Sequence, residues 1–314
     1  MGLLNRKRLF VVGGKGGVGR SVTAAALGLA LSQQGKRTLI VELDGDNIIP
    51  TFFGVEPAGY TPRELRTNLF AVNYTPAEAQ REYGLMKLKS HTAYKIVFEN
   101  PLMVKMLNMV PGLRELLLLG KTWFTEQEKG PSGANLWDAI VIDGPATGHS
   151  ISLFRLPRVI LSLMRVGPMA KDAEQILELL TSPDRTSFWI VTMPEELPVR
   201  ECQELVQVNE TELEMPLDLV VMNQDWELSG INQSACREGL HWARESGSRG
   251  VEKTLDYLKE RIEVQRPFKV ELEDTFGELL MAFPFLSVQP LGESELEDLA
   301  AIISPRLQGT KNYS

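Results

Sequence analysis

Residues 11–21 read VVGGKGGVGRS, and this loop limits the possible folds more than any other stretch of the chain. Glycines at 13, 14, 16, 17 and 19 crowd between an apolar run, RLFVVG at 8–13, and a helical pattern that begins near residue 20. A tight turn needs one or two glycines. A cluster this dense lets the backbone wrap an anion, with N–H groups and a helix N-terminus pointing at it. The phosphate-loop pattern G-x-x-x-x-G-K-[ST] is met by Gly14, Gly19 and Ser21, but Arg20 stands where lysine is expected. Strand, glycine loop and helix in that order predict a βαβ opening with a right-handed crossover.

The rest of the chain keeps that rhythm. A helix is expected over 20–34, closed by Gly35, followed by a buried strand TLIVEL at 38–43. Further apolar strands are expected at 69–74, 138–143, 187–193, 217–222 and 279–285, most of them separated by helical stretches such as the one from Pro198. The fold class is therefore α/β: a mostly parallel, doubly wound phosphate-loop sheet with an α-helical insertion. The chain reads as one such domain over 1–314. Residues 76–132 and parts of 150–182 form a helical subdomain within it. That insertion carries Met86, Met103, Met106, Met109 and the run LRELLLLGKTWF, with helices flanking the Pro111-Gly112 turn. Its apolar spacing fits a packed helical layer, or a Met-rich surface that receives a partner.

Composition narrows the function classes. A net charge of −8 argues against a nucleic-acid surface as the main business. Cys202 and Cys236 lie too far apart in sequence to suggest a disulfide framework or a zinc knuckle. The longest apolar runs fall short of a bilayer span, and the N-terminus runs into the glycine loop without a cleavage site. Arg6 also breaks the myristoylation pattern. The expected address is the cytoplasm.

Several residues are candidates for chemistry. Gly14, Lys15, Gly16, Gly17, Val18, Gly19, Arg20, Ser21 and Val22 form the expected phosphate cradle, with the Ser21 hydroxyl directed to Mg²⁺. Asp143 ends the strand DAIVID beside the glycine loop, where it can hold the metal through water. Asp44 follows TLIVEL and could orient an attacking water. GPATGHS at 144–150 is a loop able to adopt two states according to whether a terminal phosphate is present. His149 within it suits a switch or packing role better than that of a base, since no orienting partner is evident in the pattern.

Taken together these stretches resemble a known family. GGKGGVGRS resembles the deviant phosphate loop with an extra early lysine, here Lys15. That loop marks the class of the nitrogenase iron protein, the chromosome-partitioning ATPases and the arsenite-pump ATPases. IDGPATGHS is similar to the second switch of the arsenite-pump branch, which includes ATPases that target tail-anchored membrane proteins. MVPGLRELL, VTMPEELPVRECQEL and VVMNQ resemble later segments of the same branch. The last of these places Asn223 at an adenine-contacting position. The resemblance implies ATP, ADP and Mg²⁺ as ligands, and a homodimer or a pair with a homologous subunit. It further implies that Lys15 reaches the partner's phosphates and that Asp44 sits in the first switch. Closure on ATP is then expected to assemble a groove for an apolar protein client or membrane-protein partner. DGDN stands where the family has D-P-A-H, so the first switch diverges.

Three functions follow as expectations. The first is an ATPase that handles an apolar client. The second is a nucleotide-dependent switch or regulatory subunit slowed by Arg20, because a planar guanidinium is a poor substitute for a compact ammonium at a tight site. The third is a membrane-positioning ATPase, suggested by Arg155, Arg158, Arg165 and Lys171 in the acid-free stretch 151–171. Two scattered cysteines cannot supply three thiolates, which disfavours arsenite transport.

Overall fold

A computed structural model describes residues 6–88, 112–144, 147–163, 165–230, 233–288 and 290–309. Met103, Met106 and Met109 of the expected insertion lie outside these residues. So do the side chain of His149 and the Pro111 half of the Pro111-Gly112 turn.

The chain opens with β1 (Leu9–Gly14), α1 (Arg20–Gln33) and β2 (Thr38–Leu43). A short α2 (Ile49–Phe52), an edge strand β3 (Arg63–Arg66), β4 (Leu69–Tyr74) and α3 (Pro76–Leu88) follow. After the undescribed stretch come α4 (Leu113–Gln127), β5 (Ala139–Asp143), α5 (Thr147–Leu163) and α6 (Pro168–Thr181). Then β6 (Thr186–Thr192), α7 (Glu196–Val208) and β7 (Leu217–Asp225) lead to a helical hairpin of α8 (Gln233–Glu245) and α9 (Arg249–Phe276). The chain finishes with β8 (Leu280–Pro284) and α10 (Glu293–Gln308).

The strands form one sheet in the order β3-β4-β2-β5-β1-β6-β7-β8. Every pairing is parallel except β3 with β4, which is antiparallel. β1, β2 and β6 are buried along their whole length, as parallel strands covered by helices on both faces must be. That double cover is why they read as continuous apolar runs. The antiparallel edge strand, RELR, is missing from the sequence reading for the opposite reason. It is short, charged and half exposed, and so carries no apolar signal.

Two cores result. One lies under α1 and α10, where Leu27, Leu31, Leu299 and Ile303 pack on Phe10, Ile40, Val141 and Trp189. The other lies under α4 to α7, where Leu116, Phe154, Ile176 and Cys202 meet Leu9, Leu39, Ile142 and Phe188. Gly35 closes α1 with φ +82° and donates its N–H to the Ser32 carbonyl at 2.9 Å. Among the described residues no helix is long and apolar enough to cross a membrane.

Candidate nucleotide site

β1 and β5 are neighbours in register, with Val12 opposite Asp143, so the loops that leave their carboxyl ends lie side by side. Open parallel sheets bind ligands at this edge. The glycine loop is held by close approaches that only glycine allows. Gly14 has φ +144°, and a Cβ there would sit 2.4 Å from the Val191 carbonyl oxygen. Gly19 has φ +98°, and its Cβ would overlap the Asn223 amide. At Gly17, exposed with φ +84°, a Cβ would meet nothing within 4 Å, so this part of the loop faces open space. Gly16 is also exposed, while Val18 is fully buried and anchors the loop to the core.

The side chains around the loop form a connected polar set. Ser21 Oγ donates to Asp143 Oδ2 at 2.6 Å. The other Asp143 oxygen, Oδ1, is buried without a hydrogen-bond partner. Burial raises the Asp143 carboxyl above its ordinary range, against the opposing pull of the Ser21 hydrogen bond and the Arg20 charge. Arg20 donates from Nε to the Lys15 carbonyl at 3.2 Å and from Nη1 to the Gly144 carbonyl. Its guanidinium therefore bridges the glycine loop and the loop that follows β5. Burial lowers its pKa, and the nearby Asp143 partly offsets this. Lys15 Nζ pairs with Glu201 Oε1 of α7 at 3.0 Å, so in the single chain this lysine folds back along its own surface.

Asn223 is buried at the carboxyl end of β7 and donates its amide to the Val18 carbonyl at 2.8 Å. It thereby supports the phosphate loop as well as lining the cavity beside it. That cavity, about 900 Å³, runs from Gly17, Gly19 and Val22 past Asn223 to Phe285 and Leu291 beyond β8. The residues after β8 went unrecognised as site residues in the sequence. The signal available was the strand-end rule applied to β8, which delivers its following loop to the same edge.

Asp44 lies just past β2, exposed, with φ +52°, and its N–H donates to the Tyr74 carbonyl at 2.8 Å. Two positions earlier, Glu42 is almost wholly buried and was not singled out by sequence reasoning, because inside TLIVEL it reads as one polar residue in an apolar strand. It is the register partner of Asp143 on β5. Burial pushes its carboxyl up to about 7, the Asp143 charge adds to the shift, and backbone N–H donors from Ile48, Ile49 and Asn47 oppose it. The Ile48 N–H lies 3.0 Å from Oε1, while Oε2 is buried without a partner.

The donor set suits a small hard cation. Among the described residues no group of three His, Cys, Asp or Glu side chains gathers to hold a metal unaided. A hydroxyl and a carboxylate with a buried free oxygen fit magnesium, which keeps several waters and relies on phosphate oxygens for the rest of its shell.

A mostly parallel sheet with a glycine loop after β1, a serine at the start of α1 and an aspartate ending β5 is the architecture of the phosphate-loop proteins. More specifically, the chain belongs to the anion-transporting ATPase family, whose model matches residues 7–170. Among its relatives is ATPase BagA of Mycobacterium tuberculosis, 31% identical over 229 residues, which cover 71% of this chain and 66% of the relative. The chain thus spans slightly less than two thirds of that relative's length. ATPase GET3 of Kluyveromyces lactis is 25% identical, covering 69% of this chain and 72% of the relative. The ASNA1-homologue ATPase of Entamoeba dispar is 26% identical, covering 68% and 75%.

Proposed function

We propose that the chain is a dimeric ATPase whose closure over Mg·ATP is coupled to binding an apolar protein client. The observation that carries this reading is the convergence of the glycine loop, the Ser21–Asp143 pair and the 900 Å³ cavity on one sheet edge. In this reading the amides around Gly16, Gly17 and Gly19 cradle the phosphates, and the base lies in the cavity near Asn223 and Phe285. Ser21 and Asp143 hold the cation, which when bound offsets charge on the phosphate oxygens. Asp44 orients the attacking water. Lys15 leaves Glu201 and reaches the partner's phosphates, stabilising charge as an arginine finger does elsewhere.

A client surface is supported on the helical face. There Tyr83, Met86, Trp123 and Phe124 line a cavity of about 330 Å³ between α3, α4 and α6. A membrane-positioning role draws less support, since Arg158 is paired with Glu214 at 2.6 Å and Arg155 with Glu212. The second reading, a slow switch, is favoured by one contact: the Arg20 fork is already engaged by the Lys15 and Gly144 carbonyls.

The test is calorimetry with ATP and ADP, paired with solution scattering on wild type and Lys15→Ala. Nucleotide binding, and an ATP-dependent dimer lost in Lys15→Ala, are the expected results. No binding at millimolar ATP defeats the reading, and a monomer with every nucleotide defeats the sandwich.

A further inference from the structure

Glu42 and Asp143 pose a problem that the Ser21 contact does not solve. They are register partners on adjacent parallel strands, and paired residues of such strands point to the same side of the sheet. That side is the one covered by α1, because the flanking residues Ile40 and Val141 both belong to the core under α1. Two carboxylates therefore stand side by side at the root of the phosphate loop. Each has one buried oxygen with no partner, Glu42 Oε2 and Asp143 Oδ1. Glu42 is 2% exposed, so solvent does not compensate for the missing contact. An unpaired carboxylate oxygen in a protein interior is costly, and two like charges in adjacent positions add repulsion. The Arg20 guanidinium stands near Asp143, but its Nη1 is committed to Gly144. A divalent cation, which prefers oxygen ligands, would supply the partner that both oxygens lack.

We propose that Glu42 is a cation ligand, directly or through one water, making a two-carboxylate divalent-cation site with Asp143 and Ser21. The inference builds on the reading of the glycine loop as a phosphate site, yet it makes a claim about the chain without nucleotide. A second carboxylate allows the cation to be taken up ahead of ATP. It also ties that uptake to the 44–48 loop, because the other Glu42 oxygen accepts the Ile48 N–H and Ile48 lines the nucleotide cavity.

The experiment is a Mn²⁺ titration followed by electron paramagnetic resonance on the full chain, without nucleotide and again with ADP. Wild type, Glu42→Gln and Asp143→Asn are compared, and ATP binding is measured on the same preparations with Mg²⁺ and in chelator. Wild type is expected to bind Mn²⁺ without nucleotide, and Glu42→Gln to bind it about tenfold more weakly or worse, a loss of about 1.4 kcal/mol. Identical Mn²⁺ affinity in wild type and Glu42→Gln under both conditions overturns the proposal. So does the absence of a Mn²⁺ site in wild type under both. Absence of ATP binding by wild type with Mg²⁺ present would instead defeat the nucleotide reading and leave the Mn²⁺ comparison standing. Should Glu42→Gln fail to fold, Mg²⁺-induced infrared difference spectra of wild type labelled with ¹³C-carboxylate glutamate decide the matter. A shifted glutamate carboxylate band that disappears in Asp143→Asn, which removes the neighbouring ligand, supports Glu42, and bands from aspartate alone overturn it.

Discussion

The two faces of the sheet are packed by different rules. On the α1 face, Thr23 to Ser32 are all buried, and Ala24, Ala25, Ala26, Gly28 and Ala30 keep the helix slim enough to lie close to the strands. There is no slack: a Cβ added at Gly28 would come within 2.6 Å of Ile40 Cδ1 and 2.8 Å of its Cγ1. On the α4 face the helices leave the 330 Å³ cavity among themselves, between α3, α4 and α6, edged by Lys121, Glu82 and Asp172. Lys121 there pairs with Glu82 at 2.9 Å, and Tyr83 donates to Asp172 at 2.9 Å. Dense packing fixes the element that carries Ser21, while the opposite layer keeps unfilled volume between its helices.

The α4 layer is anchored to the sheet at Glu126. This buried carboxylate at the end of α4 accepts from Arg8 Nη1 at 2.7 Å and from Arg185 Nη2 at 2.6 Å. Arg8 and Arg185 lie just before β1 and β6. Glu126→Ala removes the shared partner of two guanidinium groups and is expected to cost about 3 kcal/mol, read from urea denaturation. A loss under about 1 kcal/mol would mean that apolar contacts alone hold the layer. The tight face has its own probe. Gly28→Ala gains helix propensity but forces Ile40 and Leu69 to move within a filled core, for a net loss of about 1–2 kcal/mol. A neutral result would show that the α1 face has slack after all.

The same contrast explains what could be read from the sequence. The buried strands carried unbroken apolar runs, so 38–43 and 69–74 coincide with β2 and β4, and the others fall within a few residues. The glycine loop was legible because its conformations and close contacts admit little else. Glu42 was not, since a single glutamate in TLIVEL shows its meaning only when β5 is placed next to β2 with Asp143 in register. The cavity wall after β8 was hidden likewise: Phe285 joins Asn223 through the sheet order, across 62 residues of chain. Lys15 pairing with Glu201 depends on where α7 lands, which no local pattern encodes.

The comparison also bears on movement, because Arg20 sits at the start of the rigid helix and bonds to Gly144 at the start of the post-β5 loop. Lysine at this position would give up the fork that bridges Gly144 and the Lys15 carbonyl, and its ammonium would be free to face a phosphate. Arg20→Lys is expected to raise the ATP turnover rate about tenfold, equivalent to about 1.4 kcal/mol of transition-state stabilisation. Steady-state phosphate release measures it. Brisk hydrolysis by wild type, unchanged in Arg20→Lys, would remove the slow-switch reading.

The smallest effect is the most direct check on the loose face, because it asks for the opposite sign from the same substitution. Gly120 lies inside α4 and lines the 330 Å³ cavity. A Cβ there would find Ile176 Cδ1 at 3.8 Å, an ordinary contact, where the one at Gly28 meets Ile40 at 2.6 Å. Replacing a glycine within a helix by alanine removes backbone freedom from the unfolded chain. With no overlap to offset this, Gly120→Ala is expected to stabilise the fold by about 0.5–1 kcal/mol. The added methyl also takes space from the cavity mouth, so an apolar fluorescent probe that binds there should bind less tightly even as the melting temperature rises. Stability and probe affinity moving in opposite directions would identify spare volume that the fold does not need. If Gly120→Ala destabilises the chain as Gly28→Ala does, the two faces are equally tight, and a client surface has to be sought elsewhere.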